Sequence, residues 1–340
     1  MLPRDRTKST NGSTALRDRP EAQKLRLSST CSLKAAARRG TRKDFFGGIS
    51  CPTLGRTHVL LLSTGSLYTQ PVARVFAWAR EAEFEGVELL VDDRPETRDV
   101  SHIRRCVEET GLPVPVVHVP FHSRVIPEWG TDSVDRALLT AELARELGAG
   151  MVVLHLPLWR EERFARWIVE ERPQAEKKLG LALAVENLPA RRWLIPGPRI
   201  FRWPLLFHER HGDTYFGRLL NALSQPDFRF NTAEELRQFN HVVFDVTHWA
   251  RRGDVFNFWE SLKGRAVHIH VSNYSARRSH AVPWEGQVDL GRFLQKVRAD
   301  GYQGHFTAEL CPQTLGDPKE DEVRARLRTV VQWFRQELVP

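Results

Sequence analysis

The sequence predicts an α/β fold, a closed (β/α)8 barrel on a parallel sheet, preceded by a basic N-terminal tail. Three observations predict it. From residue 58 onward, short apolar runs alternate with segments of helical periodicity. Six of those runs end in a side chain able to ligate a metal: VPVVHVP with His118, MVVLHLP with His155, LALAVENLP with Glu186, HVVFDVTH with Asp245, AVHIHVSN with His270 and GHFTAEL with Glu309. Finally, STGS at 63–66 is too weak a glycine-rich phosphate turn to support a doubly wound open sheet. A buried strand has no internal use for a charged tip. Six such tips therefore point to convergence at the carboxyl ends of parallel strands, where barrels build their sites.

The chain has 340 residues, enough for one barrel of roughly 250 residues and a tail. Its net charge of +8 is unevenly placed. Residues 1–57 hold 13 Lys and Arg against 4 Asp and Glu, and the remainder holds 37 against 38. The body thus carries no global nucleic-acid signature. The tail is rich in Arg, Ser and Thr without an apolar period, and reads as disordered and dispensable. A transit peptide or a misassigned start are the other readings of it. All ligand-bearing strands follow residue 57, so the barrel, 58–340, is expected to fold without the tail. No apolar stretch nears the ~20 residues that span a bilayer. Cys31, Cys51, Cys106 and Cys311 form no CxxC pair, and a reduced, cytoplasmic setting is expected.

The elements follow in order. HVLLLS (58–63) is the first strand, and residues 71–84 carry apolar positions at helical spacing. GVELLV (86–91) is the second strand; a helix around 99–110 stops at Gly111. VPVVHV (114–119) precedes a helix over 131–148, capped by Asp132 or Ser133 and ended by Gly148. MVVLHL (151–156) leads to a helix around 160–178 that Pro173 should kink or split. LALAVE (181–186) is followed by a long connection, 191–213, rich in Pro, Trp and Arg, the profile of a lid or binding loop. Helices around 214–224 and 232–239, strands VVFDV (242–246) and RAVHIHV (265–271), a helix over 288–301, strand GHFTAEL (304–310) and a closing helix over 318–337 complete the pattern.

Several ordered pieces sharpen the reading: HVPF at 118–121, VVLHLP at 152–157, AVENLP at 184–189, FDVTH at 244–248, HVSN at 270–273, HAVPWEGQVDL at 280–290 and YQGHFTAEL at 302–310. In their order and spacing the chain resembles the xylose-isomerase-like TIM barrel superfamily over about residues 58–337. That group includes sugar isomerases, sugar epimerases and endonuclease IV. The resemblance implies a divalent ion held by Glu186, Asp245, His270 and Glu309. Two or three carboxylates with an imidazole suit Zn²⁺ or Mn²⁺, with Mg²⁺ or Co²⁺ as further candidates. His118 and His155 match a second pair that holds another metal in endonuclease IV.

His248 and His280 match a third metal site there, but its Asp is replaced by Arg278, and a guanidinium repels a cation. His248, His280, Arg278 and Asn187 are therefore read as substrate contacts, Arg278 for an anionic group such as a phosphate. Glu88 matches a strand-two Glu common in the superfamily, as support for the site or as a structural residue. On strand seven His270 is assigned to the interior and His268 to the helix side. His122, His241 and His305 read as ordinary surface or strand-edge residues. Of Trp129, Trp159, Trp193, Trp203, Trp249 and Trp284, two or three are expected to line the site.

These assignments imply an isomerase or epimerase of a small sugar or sugar phosphate. Glu186 and Glu309 would remove and return a proton next to a carbonyl. The contrasting reading is an endonuclease IV-like phosphodiesterase acting on abasic DNA, for which the wider His set speaks and the near-neutral body does not. Nucleic acid is a partner only under that second reading. A homo-oligomer is compatible with either.

Overall fold

The computed structural model describes residues 59–122, 126–189, 192–194, 204–205, 224–275 and 278–338. The basic tail, the predicted helix around 214–224 and most of the 191–213 connection lie outside them. Everything described belongs to one unit, Ser50–Pro340. No described helix is long and apolar enough to cross a membrane.

Eight parallel strands close on themselves: β1 (Leu60–Ser63), β2 (Gly86–Leu90), β3 (Val116–His118), β4 (Met151–Leu154), β5 (Ala182–Glu186), β6 (Val242–Asp245), β7 (Ala266–Val271) and β8 (His305–Ala308). Each pairs with its sequence neighbours, and the ring shuts where Leu60, Leu61 and Leu62 of β1 register with Phe306, Thr307 and Ala308 of β8. All eight predicted strands are therefore present, shortened at their ends.

Strand alternation builds two cores. Leu61, Val116, Met151, Val153, Ala184 and Val243 fill the barrel interior. Their neighbours, among them Leu62, Val117, Val152, Leu183 and Phe244, pack outward against the helices. Phe244 meets Trp259 edge-on at 5.5 Å and stacks on Phe293 at 5.7 Å. Truncating a wholly buried ring of this kind to Ala costs about 3–5 kcal/mol, so β6 is firmly anchored from outside.

The helices start and stop where local chemistry directs. The helix Ser133–Leu147 is capped by Asp132, whose carboxylate accepts from the Val134 and Asp135 amides, and it ends at Gly148 with φ 76°. That left-handed backbone favours glycine. The segment around Pro173 is split, as expected, into Glu162–Glu170 and Arg172–Leu179, with Pro173 in the first turn of the second helix, where its missing N–H is harmless. The 232–239 helix is only one turn, Ala233–Leu236.

Three features escape the sequence reading. Short helices Val246–Ala250 and Val255–Leu262 join β6 to β7. An antiparallel hairpin, Asn273–Ser275 with Arg278–Ala281, follows β7. In the long connection, Arg192–Leu194 pairs with Pro204–Leu205 and with Ser224–Pro226 in a three-stranded sheet.

The placement of His268 on the helix side is corrected. His268 and His270 both reach Glu88 in the barrel interior, at 2.8 and 3.2 Å. Alternation sends adjacent residues to opposite faces, whereas residues two apart share one.

Candidate metal centre

Four residues at the carboxyl ends of β5 to β8 meet at one point. Glu186, Asp245, His270 and Glu309 each offer a ligand atom within 4.8 Å of the others. His270 Nδ1 lies 3.0 Å from Glu186 Oε1, 3.1 Å from Glu309 Oε2 and 3.9 Å from Asp245 Oδ2. One nitrogen can give one proton, so it cannot satisfy three carboxylates.

Two of these oxygens, Asp245 Oδ2 and Glu309 Oε2, are buried without a hydrogen-bond donor. Asp245 is divided between two tasks. Its Oδ1 caps the helix Val246–Ala250 by accepting from the His248 amide at 2.6 Å, and its Oδ2 is left toward the cluster. Orphaned buried carboxylate oxygens facing an imidazole are costly alone and are what a divalent cation satisfies. The donor set, hard oxygens with one or more imidazoles, fits such an ion.

Glu186 also faces the other way. Its Oε2 lies 3.3 Å from His118 Nε2 and 3.8 Å from His155 Nε2. His118 Nδ1 meets the Val119 carbonyl at 2.8 Å, which fixes the ring with Nε2 directed at Glu186. His155 Nδ1 is buried without a partner. His118, His155 and Glu186 thus form a second group able to hold a metal, and Asp245, His248 and His280 form a third.

In that third group His248 Nδ1 donates to the Asn187 carbonyl at 2.8 Å, and the His248 and His280 rings meet edge-on at 5.1 Å. His280 adopts φ 54°, a left-handed conformation uncommon outside glycine and held here by the hairpin. Arg278 stands on the same hairpin strand and is exposed. Asn187 is fully buried, with its amide committed to the Asp245 backbone: Nδ2 donates to the carbonyl at 3.1 Å and Oδ1 accepts from the N–H at 2.7 Å. It braces β5 against β6 and presents no open surface to a substrate.

Burial and charge set the ionisation of the cluster. Burial opposes the charge of Glu186, but hydrogen bonds and charge from His118 and His270 outweigh it and hold the carboxyl well below the usual range. Glu309 undergoes the same contest, with His270 as its main counter-charge, and falls to about 2. Asp245 moves oppositely: burial, then the charges of Glu309 and Glu186, push its carboxyl well above the usual aspartate value. His270 is held well above the usual imidazole value, because Glu88, Glu309 and Glu186 overcome its burial. Burial takes His248 down to about 4.

A cation arriving here displaces protons from the two groups with raised values, Asp245 and His270. Higher pH removes the same protons, so affinity for a divalent ion is expected to rise with pH through the neutral range. Calorimetric titration in two buffers of different ionisation enthalpy should show proton release on binding; an affinity independent of pH would contradict it.

Sequence reasoning missed some of the surroundings. His268 and Thr307 join Glu88, already read as support for the site or a structural residue, in a buried network under His270. His122 is no ordinary surface residue: its ring lies 5.4 Å from that of His155, and its Nδ1 faces Glu161 at 3.6 Å. His241 pairs with Glu176 at 2.7 Å. Trp249 is wholly buried in the outer core, whereas Trp159 and Trp284 are among the exposed large apolar residues. The side chains of Trp193 and Trp203 lie outside the described residues.

Comparison with known proteins agrees with this architecture. A family model described as xylose isomerase-like TIM barrel matches residues 76–203. The uncharacterized protein Rv0498 of Mycobacterium tuberculosis is 25% identical over 267 residues, covering 77% of this chain and 91% of its own. ML2432 of Mycobacterium leprae, also uncharacterized, is 25% identical over 265 residues, with the same coverage.

Among solved structures, the 3-keto-D-glucoside 4-epimerase YcjR from E. coli superposes with a TM-score of 0.52 at 15% identity, covering 82% of this chain and 99% of that one. An L-ribulose 3-epimerase reaches 0.54 at 16%, covering 83% and 94%. The IOLI protein, crystallised with a zinc atom, reaches 0.54 at 14%, covering 83% and 100%. At such identities these structures establish the shared fold. The closed eight-stranded barrel, the ordered acidic and imidazole strand ends and the family-model match over residues 76–203 show a chain that resembles the xylose isomerase-like TIM barrels.

Proposed function

We propose that the protein is a divalent-metal-dependent isomerase or epimerase of a small sugar or sugar phosphate. The observation that carries this reading is the pair Glu186 and Glu309 meeting at His270 Nδ1 beside a third carboxylate. Glu186, Asp245, His270 and Glu309 would hold the ion. When bound, it supplies Lewis acidity toward a carbonyl and a neighbouring hydroxyl.

The chain's own residues do the rest. One of Glu186 and Glu309 takes the proton from the carbon next to the carbonyl, and the other returns a proton to that carbon from the opposite side, inverting it. For an isomerase the proton returns to the adjacent carbon instead. The solved epimerases of the same fold support this choice of chemistry by analogy.

A phosphodiesterase reading is favoured by one specific observation: Glu186 and Asp245 each belong to two groups, so that three groups able to hold a metal adjoin, with Glu88, His118 and His270 as a fourth. Multi-metal sites suit in-line attack on phosphate. Metal content of the purified full chain separates the two. One divalent ion per chain, with solvent deuterium washed into a ketose or its phosphate ester, supports the isomerase. Three ions and cleavage of abasic DNA support the other, and a chain that takes up no divalent ion sinks both.

Arg278 is proposed to meet an anionic group of the substrate from its exposed place on the hairpin. Arg278→Ala is expected to raise KM for a phosphorylated sugar by the equivalent of about 1.5–3 kcal/mol, the usual value of a charge-assisted hydrogen bond, and to leave metal content unchanged. Kinetics with paired neutral and phosphorylated sugars check this. An equal effect on both, or on neither, removes Arg278 from the site.

A further inference from the structure

Beneath the carboxylate cluster, on the side away from the mouth, lies a second polar layer made of Glu88 on β2, His268 and His270 on β7 and Thr307 on β8. All four are fully buried. Glu88 Oε2 accepts from Thr307 Oγ1 at 2.8 Å, from His268 Nε2 at 2.8 Å and from His270 Nε2 at 3.2 Å. His270 Nε2 stands astride the carboxylate, with Oε1 at 3.1 Å. Thr307 and His268 also touch each other, at 3.0 Å.

Three donors on one oxygen favour the carboxylate form of Glu88 and hold it in place. His268 shows which way its ring is wired: Nε2 faces Glu88 and Nδ1 has no partner, so the proton is on Nε2. Thr307 and His268 border His270 but have no described hydrogen bond to Glu186, Asp245 or Glu309. Their common effect is to hold Glu88 still.

His270 is the one residue shared by the two layers. Its Nε2 is directed at Glu88, and its Nδ1 is directed at Glu186 and Glu309. A histidine can present a lone pair only from the nitrogen that carries no proton, and the partner of the other nitrogen decides which that is. We infer that Glu88 is the positioning residue of the centre: it keeps the His270 proton on Nε2, fixes the ring plane, and so leaves Nδ1 as the ligand atom. Thr307 and His268 hold Glu88 for that task. This inference rests on reading Glu186, Asp245, His270 and Glu309 as a divalent-metal site.

The test uses the full chain and Zn²⁺ alone. Affinity is measured by competition with a chelating dye for wild type and Glu88→Gln, together with the ¹⁵N-histidine spectrum of the Zn²⁺-loaded protein. Glutamine keeps the volume and can leave its oxygen to the three donors, but it removes the charge and sets an NH₂ group at the Oε1 position, against His270 Nε2. The expected result is Zn²⁺ affinity lower by about 10- to 100-fold, the usual effect of removing such an outer partner. In wild type the His270 proton is expected on Nε2, with Nδ1 carrying the metal-induced shift.

Zn²⁺ affinity of a folded Glu88→Gln within twofold of wild type overturns the inference. So does a wild-type spectrum with the proton on Nδ1, and that measurement stands even if the variant does not fold. A purely structural Glu88 would lower the melting temperature of the metal-free chain without moving the His270 proton. A wild-type chain that takes up no Zn²⁺ removes the metal-site reading and this inference with it, whereas tight wild-type binding unchanged in Glu88→Gln removes the inference alone.

Discussion

Glu309→Gln is expected to lower turnover by about 10²- to 10⁴-fold, the contribution typical of a positioned acid–base group, with little change in the folded barrel. Glu309 follows the last residue of β8, and its Oε2 has no hydrogen-bond donor. Its side chain therefore contributes nothing to the apolar cores that hold the barrel together. Glutamine keeps the shape and removes the charge and the basicity. The readout is wash-in of solvent deuterium next to the carbonyl across ketopentoses, ketohexoses and their phosphate esters, beside circular dichroism and a thermal melt. Wild-type turnover in a folded variant takes Glu309 out of the reaction.

Asp245→Asn should have the second-largest effect, and its position makes the result easy to interpret. Oδ1 caps the helix Val246–Ala250, and asparagine caps helices about as well as aspartate. The fold at β6 is thus preserved. What disappears is Oδ2, buried and partnerless, 3.9 Å from His270 Nδ1, and with it the charge that a cation would gain on displacing the Asp245 proton. Affinity for Zn²⁺ or Mn²⁺ is expected to fall by at least about 100-fold, as removal of a charged ligand does when an outer partner alone is worth 10- to 100-fold. Turnover at limiting metal falls with it. Unchanged affinity on direct titration would assign Asp245 to capping alone.

The barrel was legible because its signals are local. Each strand is a short apolar run, several helices have a cap or a stopping glycine, and each ligand candidate is the tip of its own strand. Glu186, Asp245, His270 and Glu309 could be picked out one at a time, and the closure of the ring brought them together. The supporting layer was not legible, because it exists only across the barrel. Glu88 and His268 are 180 residues apart and meet through the interior.

His268 was misplaced for a simpler reason, a wrong face assigned to residues two apart. The helix Val255–Leu262 was missed although Val255, Trp259 and Leu262 recur at helical spacing and are buried; at eight residues its period is short. Nothing local in Asn187 shows that its amide is committed to the Asp245 backbone, a contact set by the pairing of β5 with β6.

The seam between β1 and β8 has a consequence for biosynthesis. Glu309 arrives with the last strand, and β8 can be held only by β7 on one flank and by β1, laid down some 250 residues earlier, on the other. A nascent chain therefore carries Glu186, Asp245 and His270 without the residue that completes them. The four-residue group is in this way completed only when β8 joins the ring. A product cut short before residue 305 loses ring closure and Glu309 together.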